Sequence, residues 1–212
     1  NWSSPYMLDI QNSSIVYFGS YKLHRSTNKG ASWTAISPDL TKGANGRLGT
    51  ITCMSNAVLA STQRVIYTGA DDGRVMVTTN SGTNWTEISS TLPVRYVTDV
   101  VCDKRNPAVA YVTLSGFNMD ENNTRIFRTT NYGVSWANIS GNLLNVPANS
   151  LIIDYNKDST LFVGTDAGVY YTTKLGTSWV QLGTGLPNAP VFDLIYHQAT
   201  SKLIAATHGR SM

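Results

Sequence analysis

Apolar positions in this chain come in runs of four to seven, rich in β-branched and aromatic residues, and each run is bounded by Gly, Asn, Asp or Pro. Such runs read as short strands. No segment sustains a helical period, and the prolines of "TLPVRY" and "GLPNAP" fall in connections, not in strand centres. The runs also recur in a fixed order. "VYFGS", "IYTGA", "AYVTL", "LFVGT" and "LIAAT" align with one another. Upstream of them stand "PYMLDI", "ITCMSN", "YVTDVVCD", "NSLIIDY" and "VFDLIYH". Downstream comes a third run, such as "RVMVTT" or "GVYYTT", and then an eight-residue box ending in tryptophan.

The four boxes are "STNKGASW", "TTNSGTNW", "TTNYGVSW" and "TTKLGTSW", and each leads into a short alternating run: "TAIS", "TEIS", "ANIS" or "VQL". Their tryptophans, Trp33, Trp85, Trp136 and Trp179, are 52, 51 and 43 residues apart. One unit is therefore four short strands, repeated in tandem about every 45 residues, which is the signature of a β-propeller. A single blade cannot bury both faces, and stacking neighbours around an axis solves that. The sequence predicts an all-β chain of four-stranded antiparallel blades, a single partial propeller over residues 1–212. The blades are expected near 4–40, 50–90, 96–141, 148–183 and 190–212, the last stopping after its second strand at "AATHGRSM". About four and a half blades leave a raw edge. The remainder of a larger propeller, or another chain, is expected to complete the ring.

The boxes resemble the Asp-box, or BNR repeat, S/T-x-D-x-G-x-x-W. That repeat occurs in sialidases, xyloglucanases, sortilin-type receptors and a photosystem assembly factor. "RSTNKGASWTAISPDLT", "YTGADDGRVMVTTNSGTNW", "TGLPNAPVFDL" and "AATHGR" look most like bacterial secreted proteins with sortilin-like or xyloglucanase-like repeats. The resemblance implies that the Asp position shapes the turn between the third and fourth strands, on the face opposite any ligand site. Here that position holds Asn28, Asn80, Asn131 and Lys174. Asn still offers a carbonyl acceptor to the turn. Lys does not, so the fourth box should lose about 1 kcal/mol. Gly30, Gly82, Gly133 and Gly176 fit a position needing positive φ, and the tryptophans are expected to pack across the blade. The boxes are read as joints rather than as sugar platforms or metal loops.

Composition narrows the function further. Charged residues are only 14%, with Ser, Thr, Asn and Gly in their place, which suits a turn-rich extracellular protein. The net charge of +3 is scattered, which argues against nucleic acid as partner. No apolar run is long enough to span a membrane. The absence of an initiating Met reads as a mature or excised fragment, giving a secreted or cell-surface expectation. Cys53 and Cys102 are expected as buried free thiols. No metal or cofactor is expected, since no CxxC or clustered His is present. Five N-x-S/T triplets, at Asn1, Asn12, Asn84, Asn122 and Asn138, are read as chance matches in a bacterial chain.

A site is therefore sought at the other face, in the loops between strands two and three and between blades. The binding candidates there are Arg74, Arg95, Asp72, Asp166, His208 and Arg210. Glycoside hydrolysis needs two carboxylates across a cleft. Asp72 and Asp166, in equivalent loops, are the weak catalytic candidates, and Asp99 and Asp193 pair similarly in first strands. Aspartates in turns usually serve the turn. Of the two glutamates, Glu87 sits in "WTEIS", read as an outer strand, and Glu121 in a long polar loop beside no Tyr, which argues against sialidase chemistry. His208 and Arg210 of "THGR" could contact an anion or sugar, or could clamp blades through a carboxylate such as Asp193. His24 and His197 stand alone. The reading is a non-catalytic module binding a protein or glycan, with part of a glycoside hydrolase as the alternative.

Overall fold

The structure is a computed structural model that describes residues 4–43, 46–116, 121–183 and 189–209. Its strands are β1 (Tyr6–Leu8), β2 (Val16–Gly19), β3 (Leu23–Ser26), β4 (Thr34–Ala35), β5 (Ile51–Ala60), β6 (Gln63–Ala70), β7 (Val75–Thr78), β8 (Thr86–Glu87) and β9 (Tyr96–Cys102). They continue as β10 (Ala110–Gly116), β11 (Glu121–Thr129), β12 (Ala137–Asn138), β13 (Ala148–Ile153), β14 (Leu161–Thr165), β15 (Gly168–Thr172), β16 (Val180–Gln181), β17 (Val191–His197) and β18 (Lys202–Thr207). Four sheets have four strands each in sequential order, β1 to β4, β5 to β8, β9 to β12 and β13 to β16, and β17 pairs with β18 in a two-stranded sheet. One 3-10 turn, Gln198–Thr200, is the sole helical segment among the described residues.

In the second sheet the central strands are buried on both faces. Every residue of β6 after Gln63 is buried, as is all of β7. Such strands read as continuous apolar runs rather than alternation, which is why "VIYTGA" carries no polar-out positions. The fourth strands, β4, β8, β12 and β16, are only two residues long and mostly exposed. Where the loop is described, second and third strands join tightly. Asp166 and Ala167 alone separate β14 from β15, and Gly168 at φ 110° closes that turn.

By internal contacts the chain divides into two compact units, Asn1–Ala110 with Thr129–Trp136, and Tyr111–Arg128 with Ala137–Met212. In the first, Tyr17, Leu23, Leu40, Ile51, Ile66 and Met76 form a core against which Ile36 and Trp85 pack. In the second, Val169, Val191 and Leu194 are packed by Ile152, Phe162 and Leu182. Cys53 and Cys102 are buried thiols, neither in a disulfide. Burial pushes the Cys53 thiol well up and the Cys102 thiol to about 12, so neither is a ready nucleophile.

Candidate functional site

Each box turn is held by hydrogen bonds of its own side chains. The carboxamide oxygen of Asn28 accepts the Ser32 N–H at 2.9 Å and the Ser26 hydroxyl at 2.8 Å. Asn80 does the same for Asn84 and Thr78, and Asn131 for Ser135 and Thr129. The leading hydroxyl then accepts the glycine N–H: Ser26 from Gly30, Thr78 from Gly82, Thr129 from Gly133 and Thr172 from Gly176. The fourth box keeps these hydroxyl bonds, while Lys174 brings no side-chain acceptor. Each glycine has positive φ, and so does the residue before it: Lys29, Ser81, Tyr132 and Leu175, at 50–59°. Left-handed geometry at these non-glycine positions costs energy, and the hydroxyl and carboxamide bonds offset it.

Three of the tryptophans, expected to pack across the blade, also bond the blade before their own. The indole N–H of Trp85 donates to the carbonyl of Ile36 at 3.1 Å, that of Trp136 to Ile88 at 2.8 Å, and that of Trp179 to Ile139 at 2.9 Å. Each acceptor lies just past the fourth strand of the preceding blade. The side chain is a bolt to that blade. Trp33 stands apart: it is 44% exposed and rests edge-on against Phe18.

At the other end of the second sheet, the predicted residues are brought together but committed to one another. Asp72 accepts the N–H groups of Lys42 and Gly43 on one oxygen and that of Arg74 on the other. Asp71 accepts the Thr50 N–H at 2.8 Å. Arg74 holds Glu87 through Nε and Nη2, both at 3.0 Å, and the Thr41 carbonyl through Nη1. Lys42 reaches the other Glu87 oxygen at 3.1 Å. Burial works to raise the Glu87 pKa, but hydrogen bonds from Lys42, Ser89 and Arg74 outweigh it and hold the carboxyl below its usual range. Together Asp71 and Asp72 tie down the backbone at Lys42, Gly43 and Thr50, in the connection from β4 to β5. Arg95 donates to the Val94 carbonyl, and its backbone lies against Gly73, where an added Cβ would meet the Arg95 nitrogen at 2.8 Å. Glu87 is the site residue that sequence reasoning left on an outer strand. The signal was present, since antiparallel pairing sets Glu87 opposite Met76 and so diagonal to Arg74.

In the second unit, Asp166 accepts from the Asn149 side chain at 2.9 Å, and Asn149 also donates to the Val191 carbonyl. The His208 N–H donates to the Pro190 carbonyl, and its ring stacks edge-on with Phe192. Arg210, Asp120 and Asn1 lie outside the described residues. Asp193 accepts the Leu194 N–H, His197 pairs with Thr200, and His24 with Ser20. Among the described residues no His, Cys, Asp and Glu gather as a metal site, and no helix is long and apolar enough to cross a membrane.

A second polar cluster escaped the sequence reading. Asp9, at the end of β1, takes Arg64 Nε at 2.7 Å and Nη2 at 3.0 Å, the Tyr17 hydroxyl at 3.2 Å, and the N–H groups of Gln11 and Asn12. Burial opposes its charge, yet these donors keep its pKa low, and burial with Asp9's charge pushes Tyr17 up to about 12. Asp103 and Asp154 occupy the same place after β9 and β13, each with its N–H returning to the start of the next strand. The motif behind them, "LDIQNSS", "CDKRNPA" and "IDYNKDS", was legible as a second turn repeat. Surface depressions elsewhere include a groove of about 500 Å³ beside Ile36, Pro38 and Gly82, and one of about 350 Å³ lined by Phe18, His24 and Trp33.

No family model and no curated protein matches this chain. Solved structures do. An ancestral GH74 enzyme superposes with a TM-score of 0.73 at 16% identity, over 96% of this chain and 27% of that one. A GH74 xyloglucanase from Xanthomonas campestris superposes at 0.70 and 11% identity, over 98% and 34%. The fold is a β-propeller. YCF48 bound to a D1 peptide matches at 0.60 and 14% identity, over 92% of this chain and 59% of that one. This propeller chain thus spans about a quarter to a third of the two GH74 proteins, and identities at this level carry the fold alone.

Proposed function

We propose that the chain is a non-catalytic part of a larger Asp-box propeller, in a secreted or cell-surface protein of bacterial type, which binds a protein or glycan through the loop end of its blades. The observation that carries this reading is the state of the candidate acids. Asp72 spends both oxygens on three backbone N–H groups that anchor a loop, and Asp166 is tied to Asn149. A carboxylate so engaged stiffens its own loop. Beside Asp72, Arg74, Lys42 and Glu87 form a polar cluster, with Arg95 next to Gly73, suited to meeting a polar ligand. The N-x-S/T triplets need no glycan in this reading, and the sparse charge fits an extracellular setting.

The alternative is a portion of a glycoside hydrolase, favoured by the GH74 likeness over nearly all of this chain. The two separate in one experiment. The protein is screened on a glycan array and on polysaccharides, with reducing ends measured. Binding without hydrolysis, weakened by Arg74→Ala or Arg95→Ala, is the expected result. Sugar release that disappears in Asp72→Asn or Asp166→Asn would sink the binding-module reading.

A further inference from the structure

The bolt between successive units occurs three times, and its fourth copy is half built. In each complete joint the box glycine also presses on the preceding isoleucine. A Cβ at Gly82 would lie 2.8 Å from the Ile36 carbonyl, at Gly133 2.5 Å from Ile88 Cδ1, and at Gly176 2.6 Å from the Ile139 carbonyl. At Gly30 the same Cβ would meet only the Trp33 ring, at 3.6 Å. The sheet face beside it is apolar and open. Tyr6, Phe18 and His24 are successive cross-strand partners, so they share one face with Leu8, two residues from Tyr6. Tyr6 is 78% and Leu8 55% exposed.

We propose that this face seats one further four-stranded blade of the same repeat, carried ahead of Tyr6 on the same polypeptide. That blade would give Trp33 the carbonyl, and Gly30 the branched side chain, of an Ile-like residue just past its fourth strand. The inference rests on the reading of the chain as part of a larger propeller. Chain order chooses this occupant. The first strand of a sheet packs on the sheet just before it in the chain: β5 on β1 and β2, β9 on β5 and β6, and β17 on β13 and β14. By the same rule β1 packs on a sheet just ahead of it. A second copy of this chain fits less well. Its equivalent residue is Leu182, whose N–H bonds Val169 as those of Ile36, Ile88 and Ile139 bond Leu23, Val75 and Ile126. Next to Leu182, β17 already packs on β13 and β14, where an incoming β1 and β2 would have to sit.

The test compares this protein with a fusion in which a duplicate of residues 96–147 replaces residues 1–5. Hydrogen exchange of the Trp33 indole N–H is followed by NMR and assigned with Trp33→Phe. The fusion is expected to slow that exchange by at least about tenfold, and Ile139→Asp in the duplicated blade alone should restore it. A folded duplicate that leaves Trp33 exchange unchanged overturns the proposal. So does a duplicate that stays unfolded, because the seat is what would bury its face. If the unfused chain already protects Trp33, as a dimer by sedimentation, the occupant is a second copy; this proposal then falls while the partial-propeller reading stands.

Discussion

The indole N–H of Trp136 donates to the carbonyl of Ile88, 48 residues earlier, at 2.8 Å. The bond ties one unit's box to the end of the unit before it. Trp136→Phe, which keeps most of the ring, should cost about 1 kcal/mol in urea unfolding. Trp136→Ala should cost about 3–5 kcal/mol. Trp33→Ala, at an exposed and unbolted position, should cost under about 1 kcal/mol in this chain. Equal losses at the two sites would show that Trp33 is core.

Gly133 and Gly30 have the same backbone twist but different neighbours. Gly133→Ala must bear left-handed φ, about 1–2 kcal/mol, and push a methyl into Ile88, about 1–3 kcal/mol more. Gly30→Ala bears only the first cost. Thermal melts of the two variants should therefore separate, with Gly133→Ala lower.

Lys174 breaks the pattern that Asn28, Asn80 and Asn131 keep. Lys174→Asn should place a carboxamide oxygen within reach of the Ser178 N–H and the Thr172 hydroxyl. The expected gain is about 0.5–1.5 kcal/mol by urea unfolding. Asn131→Leu should lose a similar amount, and a neutral Lys174→Asn would mean that the turn gains nothing from the acceptor.

Asp9 and Arg64 form a buried pair, with side chains 1% and 9% exposed. Arg64→Met strands the carboxylate and should cost about 3–5 kcal/mol. The folded pKa of Asp9 is depressed, so its contribution is fully present above the ordinary carboxylate pKa of about 3.9. It is lost as pH falls below that, through the depressed value. Stability measured against pH should drop on this acid limb, and Asp9→Asn should flatten the limb.

Strand order, blade register and the glycine twist were all legible in the chain, because they depend on local chemistry. The alternation of runs, the "TTNYGVSW" box and Gly133 at positive φ follow from sterics and hydrogen bonds within about eight residues of one another. Asp72 and Arg74 were also visible as polar residues in a loop. Their employment was not, since Lys42, Gly43 and Glu87 reach them across 13 to 30 residues.

By itself, then, the sequence determined an all-β repeat protein and where each turn falls. Tertiary structure alone decided what each turn side chain holds. Trp85, Trp136 and Trp179 read identically to Trp33, yet three are bolted and one stands open. The reason is that an indole N–H finds its acceptor on a neighbouring blade some 40 to 50 residues away, and the presence of that neighbour is not written in the box.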